Sequence, residues 1–179
     1  MAKPSGLTIS DIEFFLAQLG ERLGQPTDLY LLGGGALYLL GNPRSTQDID
    51  YVGNDLPDET DSLQKTIRQL AHELKLEIEG VPIDQFIPIP EGAHSRHLLI
   101  GKFGFVTVYA FDPYSIGLSK LDRGFESDLE DIVFLIRQSL IIPEQLADYV
   151  ETAILRAKEF DMDPKVIRAR LALVRRMAA

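Results

Sequence analysis

Apolar residues at 12, 15, 16, 19 and 23 recur every three or four positions, which predicts an amphipathic helix ending near Gly24. Ser10-Asp11-Ile12-Glu13 is placed to cap its start as a hydroxyl–carboxylate box. Asp28 to Leu32 is a short apolar run, read as a strand, that three glycines, Gly33-Gly34-Gly35, interrupt. Ala36 to Leu40 then reads as the first turns of a helix, stopped by Gly41-Asn42-Pro43. From Gln47 to Val52 the pattern alternates as a strand does, with Asp48 and Asp50 on one face and Ile49 and Tyr51 on the other.

A loop rich in Asp and Pro, Gly53 to Glu59, precedes a helix predicted over 61–76 from the apolar positions 63, 67, 70, 71 and 74. Leu76 to Glu79 alternates again. Val81 to Pro88 is predicted to be extended, its prolines confining it to an edge or a bulge. His94, Arg96 and His97 fall in a polar loop, and no carboxylate or cysteine stands at zinc spacing from the two histidines. Leu98–Phe103 and Phe105–Phe111 read as two strands of a hairpin around Gly104. Asp112-Pro113 and Ser127-Asp128-Leu129-Glu130 then open two helices by capping chemistry. The first carries Ile116, Leu118 and Leu121 inward, and the second Leu129, Ile132, Val133 and Ile136. Two more helices, Pro143–Phe160 and Pro164–Met177, complete the chain, the last with a stripe of Ile167, Leu171 and Val174.

With 179 residues, the chain is long enough for one domain with a true core and a helical extension, divided here as 1–140 and 141–179. No apolar run approaches the ~20 residues that span a bilayer, and Met1-Ala2-Lys3-Pro4 lacks the apolar stretch of a signal peptide. Cysteine is absent, which excludes disulfides and thiolate metal sites, so a cytoplasmic location is expected.

Charge changes the picture more than composition does. The net charge is −9, yet residues 153–179, with seven basic and three acidic side chains, are +4, and the rest, with 11 basic and 24 acidic, is −13. An acidic body disfavours broad nucleic-acid binding, which depends on counterion release by basic surface, and suits a divalent cation. Lys165, Arg168, Arg175 and Arg176 on the last helix form either a solvated face or a basic wall for an RNA or a partner protein.

The candidate chemistry lies in two places. Gly33 to Ala36 places backbone N–H groups where an anion can approach closely. Asp48 and Asp50 repel one another on one strand face, a cost that a divalent metal bridging both removes. Further along, Asp128 and Asp131 share a helical face within reach of Lys120 and Arg123, as a structural ion-pair network or as part of the site.

Strand, Gly33-Gly34-Gly35, then Asp48-Ile49-Asp50-Tyr51 resembles the nucleotidyltransferase superfold of polymerase-β-like enzymes. Ala36-Leu37, Arg44, Thr46, Asp48-Ile49-Asp50, and downstream Ser119-Lys120-Leu121-Asp122-Arg123 with Asp128-Leu129-Glu130-Asp131-Ile132, most resemble its AbiEii-type branch, which includes toxins of toxin–antitoxin systems. The resemblance covers roughly residues 28–137. It implies an α+β fold with a mixed sheet, packed helices and a C-terminal helical segment. It also implies transfer of an NMP from an NTP to an acceptor such as tRNA or protein, with Mg²⁺ or Mn²⁺ on Asp48, Asp50 and a third acid. Asp84 is the candidate for that acid, with Glu77 and Glu79 as competitors. Gly33, Gly34, Gly35, Arg44, Thr46, Lys120, Arg123, Asp128 and Asp131 are implied on the nucleotide side, Lys120 meeting triphosphate oxygens. The family commonly carries serine where this chain has Gly35, so a noncatalytic nucleotide-binding module is the alternative expectation. An antitoxin partner is the further implication of the toxin branch.

Overall fold

Thr8, not Ser10, starts the first helix. Its hydroxyl accepts from Asp11 N–H (3.0 Å) while the Asp11 carboxylate accepts from Thr8 N–H (2.8 Å), so the reciprocal box forms two residues upstream of the expected one. The computed structural model describes residues 6–54, 56 and 60–179. Met1–Pro4 and much of the acidic loop, Asp55 and Pro57 to Glu59, lie outside them.

Helix α1 (Ile9–Arg22) is followed by strand β1 (Thr27–Leu32), helix α2 (Gly33–Leu39), strand β2 (Ile49–Val52) and helix α3 (Ser62–Leu74). Strand β3 (Ile78–Val81), the four-residue helix α4 (Ile83–Phe86) and the hairpin of β4 (Leu98–Phe103) and β5 (Val106–Ala110) come next. Helices α5 (Pro113–Arg123), α6 (Glu126–Arg137), α7 (Pro143–Ile154) and α8 (Pro164–Ala178) close the chain. The expected α+β class with a mixed sheet and packed helices is what forms.

The chain divides into two compact units. The first comprises the residues up to Pro82 together with Leu98–Phe111; the second comprises Ile83–His97 and Asp112–Ala179. The chain thus changes unit at Pro82/Ile83, at His97/Leu98 and at Phe111/Asp112. Within the second unit α5 packs against α6, α7 and α8, and α6 against α8.

In the first unit the five strands lie in the order β3-β2-β1-β5-β4, with β1 antiparallel to β2 and parallel to β5. Leu29, Leu31, Ile49, Tyr51, Val106, Val108 and Ala110 face one way and bury against Ile12, Phe15, Leu16 and Leu19 of α1 and Ile67 and Leu70 of α3. Residues of the opposite parity, Leu32, Asp50 and Glu79, stand side by side on the other face. Gly20 of α1 meets the β4–β5 turn so closely that a Cβ there would overlap the Phe103 carbonyl, while Phe105 N–H donates to Gly20 C=O at 3.2 Å. This backbone contact seats α1 on the sheet.

In the second unit a node of charge joins separate segments. Arg96 forks onto the fully buried carboxylate of Asp112 (2.8 and 2.9 Å), which also accepts from Ser115 Oγ (2.7 Å) and from Tyr114 and Ser115 N–H. The guanidinium lies over the rings of Tyr114 and Tyr149. The polar loop of His94, Arg96 and His97 thus carries a structural anchor. On the far side of α5, Arg170 donates to the carbonyls of Leu121 and Asp122, in space that any Cβ at Gly124 (φ +70°) would occupy.

His97 belongs to the same node: its Nδ1 accepts from Asp112 N–H at 3.1 Å, which requires the neutral ring. Burial is the largest influence and lowers its pKa; Asp112 pulls it up, but His94 and Arg96 push it down, and the net direction is below 6.5. With the folded value below the unfolded one, the unfolded chain takes up the proton first as pH falls through 6.5. The stability that neutral His97 contributes is therefore lost progressively below that pH until the folded ring also protonates. Thermal midpoints measured from pH 8 to pH 5 will fall across this window, and His97→Gln will flatten the fall. An unchanged slope in the variant would assign the loss elsewhere.

Candidate functional site

Strand β1 delivers the chain to Gly33, whose φ of +63° is one that side-chain-bearing residues rarely adopt. The three glycines do not separate strand from helix; they form the first turn of α2 itself. A Cβ on Gly33 would lie 2.8 Å from Asp50 Oδ2, so the missing side chain is what lets the carboxylate approach the turn. Gly34 faces Thr46, whose Oγ1 would be 3.3 Å from a Cβ there, with Arg44 Nη2 at 3.9 Å. Gly35 is buried, yet a Cβ on it would make only ordinary contact, the nearest atom being Asp48 O at 3.5 Å. There is therefore room for a Cβ at the position where the resemblance expects a serine.

The loop after α2 turns back through buried Asn42 and buried Thr46. Thr46 Oγ1 lies 2.9 Å from Asp48 O and 3.3 Å from Asp48 Oδ1, a hydroxyl placed to hold that acid. Strand β2 starts two residues later than expected, at Ile49, so Asp48 stands just ahead of it and Asp50 within it. Ile49 and Tyr51 are buried while Asp48 and Asp50 are half-buried. The alternation of the sequence thus yields an acidic edge with an apolar back. Gly33, Gly34, Gly35, Arg44, Thr46, Asp48 and Asp50 are all brought together in the first unit.

Asp84 is not where the sequence puts it. Val81 to Pro88 is not one extended run: Ile87 N–H donates to Ile83 C=O, and Asp84 is an exposed residue of the short helix α4 in the second unit. Of its two competitors, Glu77 precedes β3 and Glu79 pairs in register with Asp50. Parallel neighbours present their side chains on one face, so Glu79 is the acid the sheet sets beside Asp50. Among the described residues no three His, Cys, Asp or Glu side chains are gathered in a group that could hold a metal ion.

Lys120, Arg123, Asp128 and Asp131 form a compact network within the second unit. Lys120 Nζ lies 2.8 Å from Asp131 Oδ2 and 3.3 Å from Asp128 Oδ1, and the ammonium-bearing side chain is 5% exposed. Arg123 forks onto Asp128 at 2.6 and 2.8 Å from the solvent side. Helix α6 begins at Glu126 rather than Asp128, which makes Asp128 its third residue, where the carboxylate also accepts from Phe125 N–H. Burial alone pushes the Asp128 carboxyl up, but Arg123, Lys120 and that N–H together outweigh it and hold the group below its usual range.

Part of the basic face of the last helix is paired. Arg168 forks onto Glu151 (2.9 Å) and Arg175 reaches Glu144 (3.2 Å), both on α7, and Arg170 is spent on the end of α5. Two of the four residues expected on a solvated face or a basic wall, Arg168 and Arg175, thus pair with α7. No helix of the described residues is long and apolar enough to cross a membrane.

Residues 9–171 match the model of a family described as nucleotidyltransferase of unknown function (DUF6036). The chain belongs to this family. No curated protein and no solved structure matches it. The match runs through both units of this nucleotidyltransferase. Within the nucleotidyltransferase, sequence reasoning found the glycine turn and the acidic pair. It passed over Glu79's place beside Asp50, which only strand register reveals, and the anchoring of Asp112 by Arg96, a partner 16 residues away.

Proposed function

We propose that this nucleotidyltransferase moves an NMP from an NTP to a hydroxyl-bearing acceptor with the help of a divalent cation held by Asp48 and Asp50. The observation that carries this reading is the Asp50 carboxylate lying against Gly33, in space a Cβ would fill, so that acid and turn form one cradle. Two half-buried carboxylates offer hard oxygen donors, which fit Mg²⁺ or Mn²⁺ completed by substrate phosphates. Such an ion, when bound, polarises the α-phosphate and stabilises the departing pyrophosphate. The chain's own part is positional. Thr46 fixes Asp48, the glycine turn lets phosphate oxygens approach the backbone, and Arg44 supplies positive charge beside Gly34. The acceptor oxygen bonds to the α-phosphorus as the bond to pyrophosphate breaks, and Glu79, set beside Asp50 by register, is assigned the acceptor's proton.

The motif order, glycine turn, Arg44 to Asp50, then Lys120 to Asp131, supports an AbiEii-type relationship and with it a tRNA or protein acceptor and an antitoxin partner. The buried pairing of Lys120 favours a structural part for that lysine over direct contact with triphosphate. Incubation of the full chain with each labelled NTP, Mg²⁺ or Mn²⁺, and total cellular RNA and protein will label one macromolecular class. EDTA will abolish the label. No transfer with any NTP and either metal, or transfer indifferent to EDTA, would overturn the proposal.

A further inference from the structure

Ahead of the first helix, the chain crosses the loop that carries Asp48. Leu7 N–H donates to Thr46 C=O at 2.7 Å, and the Leu7 side chain packs against the core of the first unit. Gly6 adopts φ +129°, and a Cβ there would meet Ser45 Oγ at 2.8 Å and Thr46 O at 3.2 Å. The approach thus needs glycine for both conformation and space. One residue on, the Thr8–Asp11 box fastens this segment to α1, whose Ile12, Phe15 and Leu16 are fully buried.

Thr46 is the point where these restraints converge. It is 6% exposed, its carbonyl receives the Leu7 bond, its hydroxyl engages Asp48, and it abuts Gly34. A displacement of Thr46 moves the Asp48 carboxylate and one wall of the glycine turn together. We propose that Gly6 and Leu7 are positioning residues for the nucleotide and cation site, a strap that fixes Asp48 through Thr46. This inference rests on the functional reading given above.

The test uses the full chain with Gly6→Val, which adds a side chain where none fits, and Leu7→Pro, which removes the N–H. Leu7→Ile, which keeps the N–H and the apolar bulk, is the control. Calorimetric titration of Mn²⁺ in the presence of a non-hydrolysable NTP analogue is expected to show about tenfold weaker binding for the first two and wild-type binding for the control, as for other residues that orient a metal ligand. Amide hydrogen exchange at residues 45–48 is expected to quicken in the same two variants. Wild-type affinity and wild-type exchange in both would overturn the strap, whatever happens to their thermal midpoints. Should either variant fail to fold, Thr8→Ala, which loosens the anchor and leaves Gly6 and Leu7 in place, carries the same two readouts. If the wild-type chain itself binds no cation with nucleotide, the functional reading fails, and the exchange at 45–48 alone still decides whether the strap holds the loop.

Discussion

Asp50→Asn will fold with the wild-type thermal midpoint or slightly above it, and it will lose nucleotidyl transfer by at least about 10³-fold. The size follows from the chemistry: a bound divalent cation is worth several kcal/mol of transition-state stabilisation, and each ~1.4 kcal/mol is tenfold in rate. The fold survives because the substitution is nearly isosteric on a half-buried strand position. The measurement is single-turnover transfer to the acceptor, beside a melting curve. Asp48→Asn is expected to behave alike. A loss under tenfold in both would remove the acidic pair from the chemistry.

Lys120→Met carries the largest effect on stability, about 3–5 kcal/mol, because removing one partner of a buried ion pair leaves desolvated charge behind. Asp131 would lose the ammonium at 2.8 Å and Asp128 the one at 3.3 Å, with Arg123 still holding Asp128 from the solvent side. In a chain of this length that corresponds to a fall in thermal midpoint of roughly 10 °C. Removing the opposing acid as well, as in Lys120→Met with Asp131→Leu, should recover most of it, since an apolar replacement of a whole buried pair is often neutral. A lysine whose only task was to hold triphosphate would behave differently: the midpoint would stay and the KM for NTP would rise. Acid has a related effect. The Asp128 pKa is held below 3.8, so its contribution is present above that pH and fades as pH falls through the lowered folded value.

Much of this architecture was legible because its determinants are local. Ile12, Phe15, Leu16 and Leu19 announce their helix by spacing alone, and all four are buried. Gly104 marks the hairpin turn with φ +58°, and Asp112-Pro113 caps α5 as written. The helix start was misplaced because Thr8 and Ser10 each have an acid three residues on; what selects Thr8 is the docking of Leu7, a tertiary event. Asp84 was misplaced because prolines at 82 and 88 argue for extended backbone, whereas the residues between them close a single helical turn. Glu79 stood only as a competitor of Asp84 because strand register is a property of two segments at once. The pairing of Arg168 and Arg175 was hidden for the same reason, since Glu151 and Glu144 answer them from another helix.

The chain passes between its two units at Pro82/Ile83, at His97/Leu98 and again at Phe111/Asp112, because residues 83–97 leave the first unit after β3 and return at β4. Asp112 and Arg96 then close that excursion onto the helices. A single cut therefore cannot free either unit intact, and a single crossover between two related genes cannot exchange one for the other.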